Sequence, residues 1–227
     1  MVKLTIDLIG NKAQFAGMHF SHLMHNIPRP FSADHGHEAR QFFAADGEEI
    51  QDFVAAVAGS SPYLKGLIEK EHQWLRGAFA QPDAALKVEF SDLKATADSY
   101  LMSALRRAKR RVALWTALCD LAGVWALEEV TEALSKFADL ACQISLNHAL
   151  KVQLQREKIP TRKPETDPAG LGMFVLAMGK LGANELNYSS DIDLICFFDE
   201  SYFSSVDAFE ARAGFIRATK NMVALLN

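Results

Sequence analysis

The chain has 227 residues, of which 49% are hydrophobic and 23% are charged, and its formal net charge is -4. That length suffices for one large domain or two small ones with a proper core. The negative net charge argues against a general nucleic-acid-binding protein, and no run of about 18 apolar residues predicts a membrane span. The three cysteines are odd in number and set far apart among apolar residues. We therefore expect free thiols in the cytoplasm, without disulfides or a zinc site.

The first 160 residues are predicted to form a helical region. The segment NIPRPFSADHGHE at residues 26–38 is typical of a loop, and a helix is predicted from Tyr63 to Phe79. Apolar side chains at intervals of three and four then predict two longer amphipathic helices, with a short turn at Gly123 between them. Their apolar stripes consist of Leu101, Leu105, Ala108, Val112, Trp115 and Cys119, and of Val130, Leu134, Phe137, Ala141, Ile144 and His148.

The composition changes after this helical region. Residues 161–170 belong to a proline-rich stretch and are predicted to be an exposed linker. Residues 171–227 contain two apolar runs, MFVLAM and IDLICFF, that predict β-strands, and a helix is predicted from Val206 to Leu226. We therefore predict an α+β chain, with a mainly helical region over residues 1–160, a linker, and the start of an α/β domain over residues 171–227.

Two aspartates, Asp191 and Asp193, stand at the head of the second predicted strand. Side chains alternate faces along a strand, so the two carboxylates point the same way and repel each other unless a cation lies between them. Mg²⁺ is the expected cation because it prefers oxygen ligands and accepts waters and phosphates in its other positions. The strand becomes apolar on both faces beyond the pair, which predicts a central strand with a ligand site at its end. The alternative is a solvated strand end whose two charges serve structure alone.

Gly179 and Gly182 bracket Lys180 in a turn that follows the first predicted strand. Backbone amides of such a turn can face a phosphate at the start of a short helix, and Lys180 can add a positive charge. Ser189 and Ser190 are further hydrogen-bond donors beside the acid pair. A phosphate-binding turn and a metal-binding acid pair within fifteen residues are typical of nucleotide phosphoryl chemistry.

The stretch AMGKLGANELNYSSDIDLI resembles the nucleotidyltransferase signature of the bifunctional glutamine synthetase adenylyltransferase/adenylyl-removing enzymes. In that family the pattern runs G-x-G-K-L-G, two residues, E-L, a short gap and S-D-x-D-L, and Ala177 stands where the family usually has glycine. The segments SPYLKGLIEKEHQWL and LRRAKRRVALWTALCDLAGVWALEEVTEALSKFAD, with their D-L-A-G turn, are also similar to the family, so the likeness covers roughly residues 50–200. The matching signature positions are Gly179, Lys180, Leu181, Gly182, Glu185, Leu186, Ser190, Asp191, Asp193 and Leu194.

This resemblance implies a nucleotidyltransferase fold of the DNA polymerase β type for the second part of the chain. Such enzymes carry two nucleotidyltransferase domains, of which the first removes AMP from a tyrosine of glutamine synthetase by phosphorolysis and the second attaches AMP from ATP. The position of the motif implies the first, adenylyl-removing half, and hence a role in regulating nitrogen assimilation. The implied partners are glutamine synthetase, a PII-type nitrogen signalling protein, nucleotide and phosphate. Asp191 and Asp193 would be the catalytic and Mg²⁺-binding residues, and Gly179, Lys180, Gly182, Ser189 and Ser190 would bind nucleotide and phosphate.

The metal site that the resemblance implies lacks one ligand in this sequence. Enzymes of this type take a third carboxylate from a later strand, whereas 34 residues follow Asp193 (227 minus 193) and they predict one helix. Asp199 and Glu200 lie at the far end of the same strand, roughly 20 Å away at about 3.3 Å per residue. We therefore expect the 227-residue chain to be a fragment of a longer protein and to be inactive by itself.

Five basic residues cluster on the helix face opposite the first apolar stripe. A solvated face is the simpler interpretation, and a docking surface for an acidic partner such as glutamine synthetase or a PII-type protein is the functional one. Nucleic acid ranks third because no aromatic residues interleave with the charges. Two other functions stay open for the chain, a non-catalytic helical docking module and a nucleotidyltransferase that acts on a small molecule. The five basic residues are Arg106, Arg107, Lys109, Arg110 and Arg111.

Overall fold

A computed structural model of the chain describes residues 17–160 and 171–227. Within these ranges the chain is mostly helical and carries a small two-stranded antiparallel sheet, which confirms the predicted α+β class. The predicted linker over residues 161–170 lies outside the described residues. The elements in chain order are α1 (Ala33–Gln41), α2 (Glu48–Ser60), α3 (Pro62–Ala80), α4 (Ala85–Lys94), α5 (Leu101–Leu121), α6 (Leu127–Gln155), β1 (Met173–Ala177), α7 (Gly179–Gly182), β2 (Leu194–Phe198) and α8 (Ser205–Leu226).

The chain divides into two compact units. The first unit consists of the chain up to Val88 together with Leu121–Val124. The second unit consists of Glu89–Asp120 and Trp125–Asn227. The polypeptide therefore passes from one unit to the other three times. The boundary predicted after residue 160 separates regions of different composition, whereas these units are groups of residues that contact one another. The compositional boundary stays a prediction.

The first unit has an aromatic core beneath α1, α2 and α3. The ring of Phe20 lies 5.2 Å from that of Phe79 and 5.8 Å from that of Phe53, and all three side chains are buried. The predicted helix around residues 63–79 is confirmed as α3. It begins where the Ser61 hydroxyl accepts a hydrogen bond from the Leu64 amide, with proline at the first helical position.

The prediction of a loop over residues 26–38 is wrong from Ala33 onwards, where α1 begins. The hydroxyl of Ser32 accepts a hydrogen bond from the His35 amide and so caps a helix that has few apolar residues of its own. Close packing on α2 also contributes, since a Cβ atom at Gly36 would lie 2.7 Å from the carbonyl oxygen of Ala55. Tertiary contact therefore forms a helix that local apolar spacing does not predict.

Helices α5 and α6 confirm the two predicted amphipathic helices. All six residues of the first stripe are buried, and those of the second are buried or half-buried. The turn between the helices contains Gly123 at φ +66°, a left-handed conformation that favours glycine. α6 starts at Leu127 without a hydroxyl cap, and the Glu129 carboxylate instead accepts a hydrogen bond from the Ala126 amide at 3.0 Å.

The second unit holds the sheet. β1 and β2 pair antiparallel with Met173 opposite Phe198 and Ala177 opposite Leu194. One face of the sheet, which we call the inner face, packs against α6 and α8. Its residues Met173, Val175, Leu194, Cys196 and Phe198 join a core that contains Ala149, Leu150, Ala211, Phe215, Ala218 and Met222.

The outer face of the sheet is apolar and exposed. Phe174, Leu176, Ile195 and Phe197 are each between 42% and 49% exposed, and the rings of Phe174 and Phe197 stack at 5.3 Å. The prediction of two strands is confirmed, but the prediction that β2 is a central strand is wrong for the described residues, where β2 pairs with β1 alone. An apolar run predicts a strand without revealing whether both of its faces are covered.

The composition predicts free thiols and no membrane span, and both can be compared with the structure. Cys119 and Cys142 are buried, Cys196 is half-buried, and all three are free thiols. Burial raises the pKa of the Cys142 thiol to about 11, so this thiol is protonated and unreactive at neutral pH. Among residues 17–160 and 171–227, no helix is long and apolar enough to cross a membrane.

Candidate functional site

One end of the two-stranded sheet brings together the two halves of the predicted motif. The amide of Met178 donates a hydrogen bond to the carbonyl of Asp193 at 2.9 Å, directly beyond the last paired residues of β1 and β2. The G-K-L-G turn follows Met178 as α7, a single helical turn of four residues. Antiparallel pairing therefore places the start of that turn beside the residues that lead into β2.

The first glycine of the turn lies next to the second aspartate of the pair. A Cβ atom built on Gly179 would lie 3.7 Å from Oδ2 of Asp193. Gly179 has φ +56°, a left-handed conformation in which a side chain is strained. Gly182 is required for a different reason, because a Cβ atom there would lie 2.5 Å from the carbonyl oxygen of Ala177. The two glycines thus allow the turn to fold closely against the strand end and the Asp193 carboxylate.

The acid pair lies in the segment before β2 and is exposed. Exposure alternates along this segment, with Asp191 and Asp193 exposed and Ile192 half-buried, and the alternation continues into the strand. Asp193 thereby falls in phase with Ile195 and Phe197 of the outer face. The alternation is consistent with the prediction that both carboxylates share one side of the chain.

Three other predicted site residues precede the acid pair in the sequence. Lys180 and Ser189 are exposed, and the Lys180 carbonyl accepts a hydrogen bond from the Glu185 amide at 2.7 Å. The hydroxyl of Ser190 donates to Oδ1 of Asn187 at 2.6 Å and so closes a tight turn immediately before the pair. Phosphate binding by these residues stays a prediction.

The two aspartates offer the type of ligand that a magnesium ion prefers, but they are only two of the ligands that it needs. Asp191 and Asp193 are accessible carboxylates, the hard oxygen ligands that Mg²⁺ prefers. Within the two described ranges, no group of three or more histidine, cysteine, aspartate or glutamate side chains is arranged to hold a metal ion. Asp199 follows the far end of β2, where its carboxylate accepts a hydrogen bond from the Ser201 amide. Waters and phosphates would have to supply the remaining ligands of a bound ion.

Sequence reasoning missed two contacts that hold the segment before the acid pair. The phenol of Tyr188 donates a hydrogen bond to Oδ2 of Asp120 on α5 at 3.1 Å. The amide of Leu186 donates to the hydroxyl of Ser135 on α6 at 3.1 Å, and this contact is buried. The partners are 68 and 51 residues apart, so no local pattern reveals them. The one signal that could have pointed to them is the D-L-A-G turn that begins with Asp120.

The residues of the basic cluster on α5 differ in their surroundings. Nη1 of Arg111 lies 2.8 Å from Oε2 of the buried Glu89 on α4, and Nε of Arg107 lies 4.0 Å from its Oε1. Arg106 and Lys109 are exposed. The prediction of a single solvated basic face is therefore wrong for Arg107 and Arg111, which turn towards a buried carboxylate.

The comparisons with known proteins agree with the resemblance of the motif. The family model described as glutamate-ammonia ligase adenylyltransferase (GlnE) matches residues 29–227. Similar relatives are the bifunctional glutamine synthetase adenylyltransferase/adenylyl-removing enzymes of Bradyrhizobium diazoefficiens (38% identical over 182 residues), Rhodopseudomonas palustris strain TIE-1 (38% over 184) and Agrobacterium fabrum (32% over 187). Each alignment covers 78% of this chain and 18% or 19% of the relative, so the chain spans about a fifth of the length of these relatives. No solved structure gives a significant match.

Proposed function

Because the chain belongs to the glutamate-ammonia ligase adenylyltransferase family, we propose that it contributes a nucleotidyltransferase site that removes AMP from the adenylylated tyrosine of glutamine synthetase. The relatives are named for both attachment and removal of the adenylyl group, and removal is the direction that the sequence resemblance implies. The proposal includes the polymerase β-type nucleotidyltransferase fold for residues 171–227. It also includes a role of the complete protein, which attaches AMP with ATP as well, in regulating nitrogen assimilation.

The observation that best supports this proposal is the proximity of Asp193 to Gly179. A phosphate held by the G-K-L-G turn would lie beside the Asp193 carboxylate, and the exposed Lys180 would lie on the same turn. Transfer of a nucleotidyl group requires a cation site next to a phosphate site, because the reacting phosphate must be held in position and its negative charge must be neutralised.

The residues of this chain have distinct roles in the proposed phosphorolysis. We assign Gly179, Lys180, Gly182, Ser189 and Ser190 to phosphate binding, and Asp191 and Asp193 to holding Mg²⁺, which when bound neutralises phosphate charge. An oxygen of inorganic phosphate attacks the phosphorus of the tyrosine-bound AMP, and the bond from phosphorus to the tyrosine oxygen breaks. The phenolate leaves and takes a proton from solvent, so the products are ADP and the unmodified tyrosine. The ammonium of Lys180 stabilises negative charge on the transferred group.

We further propose that residues 1–227 alone do not catalyse this reaction. Two carboxylates recruit Mg²⁺ weakly, because that ion keeps its waters unless several carboxylates and phosphates replace them together. The third carboxylate would come from another part of the complete protein. The exposed residues Arg106 and Lys109 are the sites that we propose for contact with an acidic partner, either glutamine synthetase or a PII-type protein.

The test uses the complete gene product that contains this chain, incubated with adenylylated glutamine synthetase, Mg²⁺ and inorganic phosphate while ADP formation is followed. Asp193→Asn should lower the rate by at least about 100-fold, since loss of metal-based stabilisation amounts to several kcal/mol. Asp199→Asn is the matched control. It changes an exposed aspartate beyond the other end of β2 and keeps an oxygen for the Ser201 amide, so activity should persist.

Each other outcome favours a different function. Full activity of Asp193→Asn would contradict the metal-binding role of the acid pair. AMP attachment from ATP, without phosphorolysis, would reverse the proposed direction. Tight binding of glutamine synthetase with neither reaction would favour a docking module, and transfer to a small molecule alone would favour the third function.

A further inference from the structure

The segment between α7 and β2 is tied to the rest of the second unit along its length. At its start, the Glu185 amide donates a hydrogen bond to the carbonyl of Lys180 in the G-K-L-G turn. In its middle, Leu186 is buried and bonded through its amide to Ser135. Tyr188 then reaches Asp120, and the turn closed by Ser190 follows directly. Asp191, the first residue of the acid pair, is therefore three positions from Tyr188, whose phenol is anchored to a helix.

The two helix anchors differ in character. Ser135 is fully buried in the first third of α6, and its hydroxyl supplies the partner that the buried Leu186 amide needs. Asp120 lies on the last turn of α5 and is exposed, while Tyr188 is 47% exposed. Burial of the phenol and the adjacent Asp120 charge raise the pKa of Tyr188, so the phenol stays protonated and donates to the carboxylate. A partly exposed hydrogen bond of this kind adds little to global stability.

We propose that Asp120, Ser135 and Tyr188 are positioning residues that fix the acid pair of Asp191 and Asp193 with respect to the G-K-L-G turn. The inference rests on the proposed function, in which carboxylates and turn act on one phosphate. The Met178 amide already holds the backbone of Asp193 at the start of the turn, but a free segment before the pair could displace Asp191 by several ångströms, at about 3.3 Å per residue. Groups that act on a reacting phosphate need a precision well below that. Helices α5 and α6 are thereby part of the site, although neither carries a proposed catalytic group.

The test measures Mn²⁺ binding by electron paramagnetic resonance, with the complete gene product and Mn²⁺ as a substitute for Mg²⁺. Tyr188→Phe removes one hydroxyl and should weaken Mn²⁺ binding roughly 10- to 100-fold, the usual effect of removing a residue that orients a metal ligand. Phosphorolysis should lose kcat at limiting Mg²⁺ while KM for adenylylated glutamine synthetase and the melting temperature stay unchanged. Tyr100→Phe, at a tyrosine that is 69% exposed, is the matched control and should change none of these quantities.

Two variants of Asp120 separate positioning from a general structural role. Asp120→Asn keeps an oxygen that accepts from the phenol and should bind Mn²⁺ nearly as the wild type does. Asp120→Ala should weaken Mn²⁺ binding as Tyr188→Phe does. The double variant Asp120→Ala/Tyr188→Phe should bind Mn²⁺ no more weakly than either single variant, because the two residues share one interaction. Ser135→Ala should act in the same direction. Hydrogen exchange of the amides at 191–193 should accelerate in each weakened variant while exchange in α5 and α6 stays unchanged.

The outcomes distinguish this inference from the function on which it rests. If the wild type forms no ADP but Tyr188→Phe still weakens Mn²⁺ binding, the proposed function fails and the positioning role stands. If the wild type forms ADP and Tyr188→Phe binds Mn²⁺ as tightly, the positioning role is overturned. Absence of Mn²⁺ binding by the wild type overturns both. If Tyr188→Phe does not fold, Asp120→Ala and Asp120→Asn carry the test, and equal Mn²⁺ affinities of these two variants overturn the role.

Discussion

Glu89 of α4 lies buried against Arg111 of α5, with only 2% of its side chain exposed and 2.8 Å between Oε2 and Nη1. Arg107 approaches the other carboxylate oxygen at 4.0 Å. A buried carboxylate is costly unless it is paired, so two residues of the basic cluster compensate a charge inside the second unit. Part of an apparent docking surface is thus structural.

This pairing leads to a first prediction about stability. Glu89→Gln should lower the free energy of unfolding by about 1–3 kcal/mol, because the charged partner Arg111 loses its ionised acceptor in a buried position. Urea denaturation at pH 7 measures the change. Glu132→Gln, which removes an exposed i,i+4 pair with Lys136, should cost no more than about 0.5 kcal/mol. Equal losses in the two variants would contradict the structural role of Glu89.

A second prediction concerns the pH dependence of stability. A hydrogen bond from Lys151 and the close approach of the His148 ring, whose Nδ1 lies 3.3 Å from Oδ1, lower the pKa of Asp98 below its ordinary value. Because the folded pKa is lowered, Asp98 contributes stability above the unfolded pKa of about 4, and this contribution is lost as the pH falls through the folded value. Half of the side chain is exposed, so screening limits the contribution to about 0.5 kcal/mol or less.

The measurement for Asp98 is the difference in unfolding free energy between the wild type and Asp98→Asn from pH 7 to pH 3. The difference should be present at pH 7 and disappear towards pH 3. Asp92→Asn changes an exposed aspartate of α4 and should have a smaller effect at pH 7. A difference for Asp98→Asn that grows on acidification would refute the assignment.

A third prediction uses two glycines with opposite surroundings. Gly182→Ala should destabilise the chain by about 1–3 kcal/mol, since the new methyl group would lie 2.5 Å from the Ala177 carbonyl oxygen and force the turn away from β1. Gly66→Ala, inside α3 with no atom within 4 Å of its Cβ position, should instead stabilise by roughly 0.5–1 kcal/mol. Thermal melts of both variants measure the change in melting temperature. A change of the same sign in both variants would contradict this prediction.

A fourth prediction concerns association with an acidic partner. The double reversal Arg106→Glu and Lys109→Glu should weaken binding to glutamine synthetase at low salt and reduce its salt dependence, while the melting temperature stays within a few degrees. The control is Arg212→Glu with Lys220→Glu, which makes the same change of charge at exposed positions of α8. Binding isotherms at two ionic strengths decide, and equal weakening by both double variants would mean that only net charge matters.

The helices were predictable where their own sequence carries the apolar stripe. The stripes beginning at Leu101 and Val130 are buried or half-buried as spacing predicts, because an amphipathic helix carries its buried side in its sequence. α1 was missed because its formation depends on the Ser32 cap and on close contact between Gly36 and α2. Local spacing contains no information about that contact.

The candidate site was predictable in composition but only partly in arrangement. The acid pair and the G-K-L-G turn were recognisable from residue type and spacing, and antiparallel pairing brings Asp193 and Gly179 together. The exposed outer face beside Ile195 was not predictable, because strand patterns do not report what covers them. The contacts of Ser135 and Tyr188 depend on the tertiary fold over more than fifty residues of separation.

The three passages of the polypeptide between the units have a practical consequence for dissecting the protein. A polypeptide cut after Val88 would lose Ala122, whose carbonyl accepts hydrogen bonds from the amides of His25 and Asn26 at 2.8 and 3.0 Å. It would also lose the Leu121 carbonyl, which accepts from the Asn26 side chain. The first unit is therefore discontinuous in sequence, and a single truncation cannot isolate it intact. Co-expression of residues 1–88 with a partner fragment, or a shortened linker that rejoins residues 121–124, would be needed to study it apart from the second unit.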